Sequence, residues 1–311
     1  MSALQKEYTL ELGNQTLTVR TGSIARQANA SVLCQMGDTV ALGNCTVSQK
    51  PREGVDFLPL QVVYQEKYYA GGKIAGSRFR KREGRPSDDF VLLGRVIDRG
   101  MRPLFPKYLR NDIQVFATVL SYDFEHEHDI AAANACNLAV ALSDCPFEGL
   151  LGTVRVGMIG GELVLNPTRE ARLKSDLDMF VTASLERVVM IEAGANQLPE
   201  EDILKGIEFG KKWAQKIARF FADIQKEIGC KKWVPEPPYT HPEAYALLKA
   251  WALPVITKAI RDDLAKKERR RIFADLMEKA AETLQSTYGE AGDAEDLATL
   301  YAHASGFVDS I

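Results

Sequence analysis

The sequence is poor in the features that mark secreted, metal-built or membrane proteins. Its five cysteines, Cys34, Cys45, Cys136, Cys145 and Cys230, are scattered, odd in number and form no CxxC pair. That pattern argues against a disulfide framework or a structural zinc site, and the cysteines read as small apolar core residues in a reducing compartment. Histidine occurs only four times. No run approaches the ~18 apolar residues of a membrane span, and the first residues, MSALQKEYTLEL, lack a basic segment followed by an apolar one, so a cytoplasmic protein is expected. Gly71-Gly72-Lys73 lacks the glycine spacing of a nucleotide P-loop and reads as a loop. There is no internal repeat and no low-complexity tract. What remains is a globular chain of 311 residues, 46% hydrophobic and 26% charged, with a formal net charge of -3.

Against that acidic balance, one stretch stands out. Between Arg78 and Arg110 there are ten Lys/Arg and four Asp/Glu, a local charge of +6. A cationic strip in an acidic chain localises attraction for polyanions, phosphate chains above all. Pro86-Ser87-Asp88-Asp89 is a helix start, with Ser87 placed to cap and two acids at the positive helix end. The helix is expected to run to Met101 and stop before Pro103. Leu92, Leu93, Val96 and Ile97 share the face expected to pack on a sheet, while Arg95, Arg99 and Arg102 project from another. The alternative is a solvated face in which Asp98 and Asp88 pair with the arginines.

Elsewhere the chain reads as strands, then helices. Tyr8–Leu12 and Gln15–Val19 flank a Gly13-Asn14 turn, followed by strands at 31–34, 39–47 and 57–64, with Gly37-Asp38 a second turn. A mixed or antiparallel sheet follows from this. Ile113–Ser121 is a further strand and 129–144 an alanine-rich helix. Strand pairs are expected at 154–158 with 162–165 and at 178–182 with 187–191. A long helix opens at Pro199 and closes at Gly229. A proline-rich linker, 233–242, separates residues 1–232 from an all-helical segment, 243–311, in which Ile272, Phe273, Leu276, Met277, Ala280 and Leu284 form one stripe. The fold class is α+β followed by a small all-α domain. Lys266–Arg271 reads as a solvated helix face or a nucleic-acid contact.

Phe79 to Pro106, FRKREGRPSDDFVLLGRVIDRGMRPLFP, resembles the first ribonuclease PH-like domain of the bacterial polynucleotide phosphorylases, and the similarity extends along the whole chain. The resemblance implies a mixed sheet packed with helices, a homotrimeric ring or a catalytic half as partner, degradosome-type protein partners, and single-stranded RNA as the bound polymer. It assigns RNA binding to Phe79, Arg80, Lys81, Arg82, Arg85, Arg95, Arg99 and Arg102. Arg80 stands where the family has a second aromatic, which removes one base-stacking platform and adds a positive charge. Arg85 either fixes the loop or contacts phosphate, its alternative being an ion pair with Glu83 or Asp88.

The family's phosphorolysis belongs to a second ribonuclease PH-like domain, using phosphate and Mg²⁺, and the sequence reaches Ile311 before such a domain. No cofactor is expected on this chain itself. Catalytic copies open the helix at Ile130 with a Gly/Ser/Thr-rich phosphate loop. Here Glu125-His126-Glu127-His128-Asp129 stands there, three carboxylates expected to cap the helix and repel an anion. His126, His128 and Asp129 read as a solvated cap more than as metal ligands. Of two catalytic aspartates six residues apart, Asp178 matches the later and Arg172 occupies the earlier position, with Asp176 a possible substitute. The chain alone is therefore expected to be non-catalytic. Two rivals stay open: an autonomous phosphorolytic nuclease using Asp178, and a purely structural subunit of a nuclease ring.

Overall fold

The computed structural model describes residues 5–52, 54–55, 57–74, 76, 84–235, 242–262 and 264–288. The basic residues Arg80, Lys81 and Arg82, together with Phe79, lie outside the described residues, as does most of the proline-rich linker. Two compact units divide the chain, Met1–Pro235 and Glu236–Ile311.

The first unit is built from two sheets. Strands β1 (Lys6–Leu12), β2 (Gln15–Thr21), β3 (Ala30–Met36), β4 (Thr39–Pro51), β5 (Leu60–Glu66) and β6 (Asn111–Ser121) form a six-stranded sheet in the order β1-β2-β3-β4-β6-β5. All neighbours are antiparallel except β5 and β6, which run parallel, Leu60 opposite Ile113. That parallel pair needs a crossover, supplied by α1 (Asp88–Met101). Phe57 lies outside β5 and is 58% exposed, a correction to the expected strand start. Strands β7 (Gly152–Ile159), β8 (Glu162–Leu165), β9 (Leu177–Ala183) and β10 (Val188–Ala195) form the second sheet, order β10-β9-β7-β8 and wholly antiparallel.

Helix α2 (His128–Leu142) is buried at every residue from Asp129 to Leu142 and packs on strands of both sheets. Only small side chains permit this. At Gly43 of β4 an added methyl would stand 2.4 Å from the Ala135 carbonyl carbon, so strand and helix backbones nearly touch. On its other side α2 is joined to β7 through buried amides. Asn134 Nδ2 donates to Ile130 O and Thr153 O, its Oδ1 accepts from Thr153 N, and Asn137 Nδ2 donates to Thr153 Oγ1. Each amide meets the demand that buried polar groups find partners.

A four-residue helix, α3 (Arg169–Arg172), precedes β9. Helix α4 (Glu200–Ile228) packs on the second sheet with Ala214, Ile217, Ala218, Phe221 and Ile224 buried. Pro199 is its N-cap and not a first-turn residue. The unit's chain then folds back on α2: Cys230 N donates to Leu142 O, and Lys232 Nζ donates to Val140, Ala141 and Ser143 carbonyls. Cys230 is exposed, unlike the other four cysteines, which corrects its reading as a core residue.

The second unit contains α5 (Pro242–Arg261) and α6 (Lys266–Tyr288). Leu248, Ala252 and Ile256 pack against Leu276 and Ala280, with Ile272, Phe273 and Trp251 at the margin. Among the described residues no helix is long and apolar enough to cross a membrane.

The contact between β4 and α2 makes a direct prediction. Gly43→Ala should destabilise the first unit by about 1 to 3 kcal/mol or more, since the obstructing atoms are backbone. Its melting temperature in calorimetry should fall by several degrees. Gly84→Ala, where nothing lies within 4 Å, should leave it unchanged.

Candidate nucleic-acid interface

Helix α1 starts as its sequence dictates. Ser87 Oγ accepts the Phe90 N–H at 3.4 Å, and Asp88 and Asp89 occupy the first turn. Gly94 lets α1 approach β5, for a methyl there would lie 3.0 Å from Val62 O. Ile97 and Met101 are buried and Phe90, Leu93 and Val96 pack beside them, whereas Leu92 is 58% exposed and leaves the face assigned to it.

The arginines of this region separate into three kinds. Arg85 and Arg95 are exposed and make no ion pair among the described residues. Arg99 is also exposed but meets Glu192 of β10 across the surface. Arg102 is tied down: its Nε and Nη2 bind the Asp98 carboxylate at 2.8 and 2.6 Å, and Nη1 and Nη2 donate to Leu58 O and Leu60 O at 3.1 and 3.0 Å. It pins the end of α1 to the entry of β5, in line with the Asp98 alternative.

Behind the helix N-terminus of α2 lies a second set of charges. Arg155, in the middle of β7 and 5% exposed, pairs through Nη1 with Asp178 of β9 and through Nη2 with Asp129 of α2. Arg172 of α3 binds the other Asp178 oxygen through Nε and Nη2, at 2.9 and 2.7 Å, and Glu127 at 3.1 Å. The Phe180 ring lies 5.8 Å beneath the Arg155 guanidinium. Both Asp178 oxygens are thus occupied by arginine, whereas Asp129 Oδ1 is buried without a hydrogen-bond partner. Asp176 sits just outside β9 and meets Asn196 instead.

The residues 125–129 do not form the expected cap. Glu127 is the N-cap of α2 but makes no side-chain cap bond, and it faces Arg172 while Asp129 faces Arg155. The turn is held by Asp123, which accepts from Glu125 N and His126 N at 2.8 Å, from His126 Nδ1 at 2.7 Å and from Thr39 Oγ1 at 2.9 Å. His128 Nδ1 bonds the Tyr64 hydroxyl, so both histidines are engaged by the fold and half-buried. Among the described residues no group of three His, Cys, Asp or Glu is arranged to hold a metal ion.

Two family models match this chain, 3′ exoribonuclease family domain 1 over residues 14–146 and domain 2 over residues 149–212. The chain belongs to the 3′ exoribonuclease family. It is 47% identical over 225 residues to a polyribonucleotide nucleotidyltransferase of Heliobacterium modesticaldum, covering 72% of this chain and 32% of that one. A polyribonucleotide nucleotidyltransferase of Desulfitobacterium hafniense is 39% identical over 295 residues, 91% of this chain and 40% of its own length. The chain therefore spans about a third of the length of the curated relatives it matches. Among solved structures, rice (Oryza sativa) Rrp46 shares the fold, with a TM-score of 0.53 at 15% identity over 72% of this chain and 95% of that one.

In this family member the border between the two matched domains runs through the charge cluster, with Asp129 and Glu127 on one side and Arg155, Arg172 and Asp178 on the other. Burial alone would raise the Asp178 carboxyl, but Arg155 and Arg172 outweigh it and hold the pKa below the ordinary value of 3.8. Burial likewise works against the charge on Arg155, and Asp129 and Asp178 reverse this, raising its pKa. Arg155 escaped sequence reading, although a lone arginine in the otherwise apolar strand Gly152–Ile159 was a usable signal.

Arg155→Met removes the cation shared by two acids. It should cost about 3 to 5 kcal/mol in urea denaturation, because Asp129 is left buried and unpaired. The wild type's contribution from Asp178 is present above about pH 4 and is lost as pH falls through the depressed folded-state pKa. The variant's stability should therefore fall less over that acid range.

Proposed function

We propose that the chain is the RNA-holding, ring-forming portion of a polyribonucleotide nucleotidyltransferase, and that alone it carries out no phosphorolysis. The observation behind this is the occupation of Asp178 by two arginines, which also pair with Glu127 and Asp129 at a helix N-terminus. Glu127 and Asp129 bring negative charge to that helix end, and an acid committed to two guanidinium groups is a poor proton donor or metal ligand. This weighs against the autonomous nuclease reading.

Support for RNA binding comes from the charge of the region containing α1. In this reading Phe79, Arg80, Lys81 and Arg82 grip the strand with Arg85 and Arg95. Arg99 exchanges Glu192 for a phosphate, since an exposed ion pair is worth only about 0 to 1 kcal/mol. Arg102 is a positioning residue that fixes α1. The partners are single-stranded RNA, further copies in a homotrimeric ring or the catalytic half, and degradosome-type proteins, in the cytoplasm. Mg²⁺ and phosphate serve the complete enzyme, which releases nucleoside diphosphates in the 3′ to 5′ direction.

Binding of single-stranded RNA, followed by fluorescence anisotropy, should weaken with salt at a slope of about -0.7 per phosphate contacted. Arg85→Ala with Arg95→Ala should flatten that slope, while Arg102→Ala should chiefly lower the melting temperature. Affinity that ignores salt, or is absent at low salt, favours the structural subunit. With RNA, phosphate and Mg²⁺ the chain should release no nucleoside diphosphate. Release that Asp178→Ala abolishes would return the chemistry to this chain.

A further inference from the structure

The turn ahead of α2 holds an aromatic ring out to solvent. Asp123 Oδ1 accepts the N–H groups of both Glu125 and His126, folding the backbone over Phe124. Phe124 is thereby held at φ +63°, a left-handed conformation that bulky side chains rarely adopt, and the residue is 50% exposed. Strain of this kind collects at functional sites. The ring contributes little to the core: it leans on Tyr122, with centroids 4.6 Å apart, and its edge reaches Gly71, where an added methyl would stand 3.5 Å from Cζ. Tyr69, two residues before Gly71, is 58% exposed.

Cations flank these rings. Arg169 is exposed, donates its backbone N–H to Glu125 O at 3.0 Å, and pairs with no acid among the described residues. Lys73 is exposed and likewise unpaired among the described residues. A ladder of rings, Phe124 to Tyr122 to His128 to Phe90, with centroid separations of 4.6, 4.9 and 6.5 Å, links the turn to the first turn of α1.

We propose that Phe124 and Tyr69 form a stacking shelf for nucleobases, with Arg169 and Lys73 holding the adjoining phosphates. The bound strand crosses this turn, and Phe124 supplies a platform for a base. The inference rests on the RNA-binding reading above. Exposed aromatic faces interleaved with unpaired cations suit a single strand, because every base presents a π-face and every link a phosphate. An apolar protein surface would cover the rings but leave the two cations desolvated and unmatched.

The test compares the full chain with Phe124→Ala, Phe124→Leu and Phe124→Trp, using a labelled oligoadenylate and an abasic strand of equal length. The alanine and leucine variants should bind oligoadenylate about 5- to 150-fold more weakly with an unchanged salt slope. The abasic strand should bind all variants alike, and Phe124→Trp should restore affinity and show quenched fluorescence on binding. Arg169→Ala should flatten the slope. Equal affinity of wild type and Phe124→Leu for oligoadenylate overturns the shelf and leaves the RNA reading standing. Failure of the wild type to bind either strand overturns both. Loss of assembly mass in the Phe124 variants, with RNA affinity intact, would make the ring a contact between copies and also overturns the shelf.

Discussion

A helix enclosed on every side can carry no charge along its length, and its polar ends must be served from within the protein. Helix α2 imposes that requirement on the whole first unit. Its alanines and Gly43 allow β4 to approach within backbone contact, and Asn134 and Asn137 secure it to β7. At its C-terminal end, the carbonyls of Val140 and Ala141 take Lys232 Nζ, a group whose pKa burial lowers, and Gln225 adds a bond to Ala141 O. At its N-terminal end Glu127 and Asp129 face Arg172 and Arg155. Acids at the positive end of the helix dipole and a lysine at the negative end are the arrangement electrostatics favours. Here all the partners come from distant parts of the chain.

That solution has a chemical consequence. A helix N-terminus ordinarily attracts anions through its free N–H groups. Two carboxylates standing there oppose an anion, and the carboxylates themselves need cations. Arg155 and Arg172 meet that need and, in doing so, occupy both oxygens of Asp178. Buried ion pairs are seldom the most stabilising way to fill a core. What this cluster does achieve is registration: it joins α2, α3, β7 and β9 at one point, where a one-residue slip of a strand would leave charges unmatched.

Most of the fold was legible because period-two and helical patterns survive wherever one face of an element is buried. The hairpins at Gly13-Asn14 and Gly160-Gly161 lie where turn residues require them. Leu92 misled because the buried side of α1 is set by Gly94, Ile97 and Met101, whose close approach to β5 matters more than the number of leucines. Strand β7 gave no alternation from which to orient Arg155, since it is buried on both faces. Its partners lie 23 and 26 residues away in sequence, brought near only by pairing of β7 with β9 and packing on α2.

The arginine row on α1 shows the same limit from the other side. Spacing i,i+4 puts Arg95, Arg99 and Asp98 with Arg102 within reach of one another, but spacing cannot see Glu192 on β10 or the carbonyls of Leu58 and Leu60. Pairing and exposure together sort the cations. Arg102 is spent on the backbone entry to β5, and Arg155 is held at raised pKa by buried acids, so neither can be lent to a polymer without loss of structure. Arg85, Arg95, Arg169 and Lys73 carry no such obligation among the described residues. Exposed cations without acid partners among the described residues keep their field toward solvent. A phosphate chain can neutralise it at little desolvation cost, because the charges already stand in water.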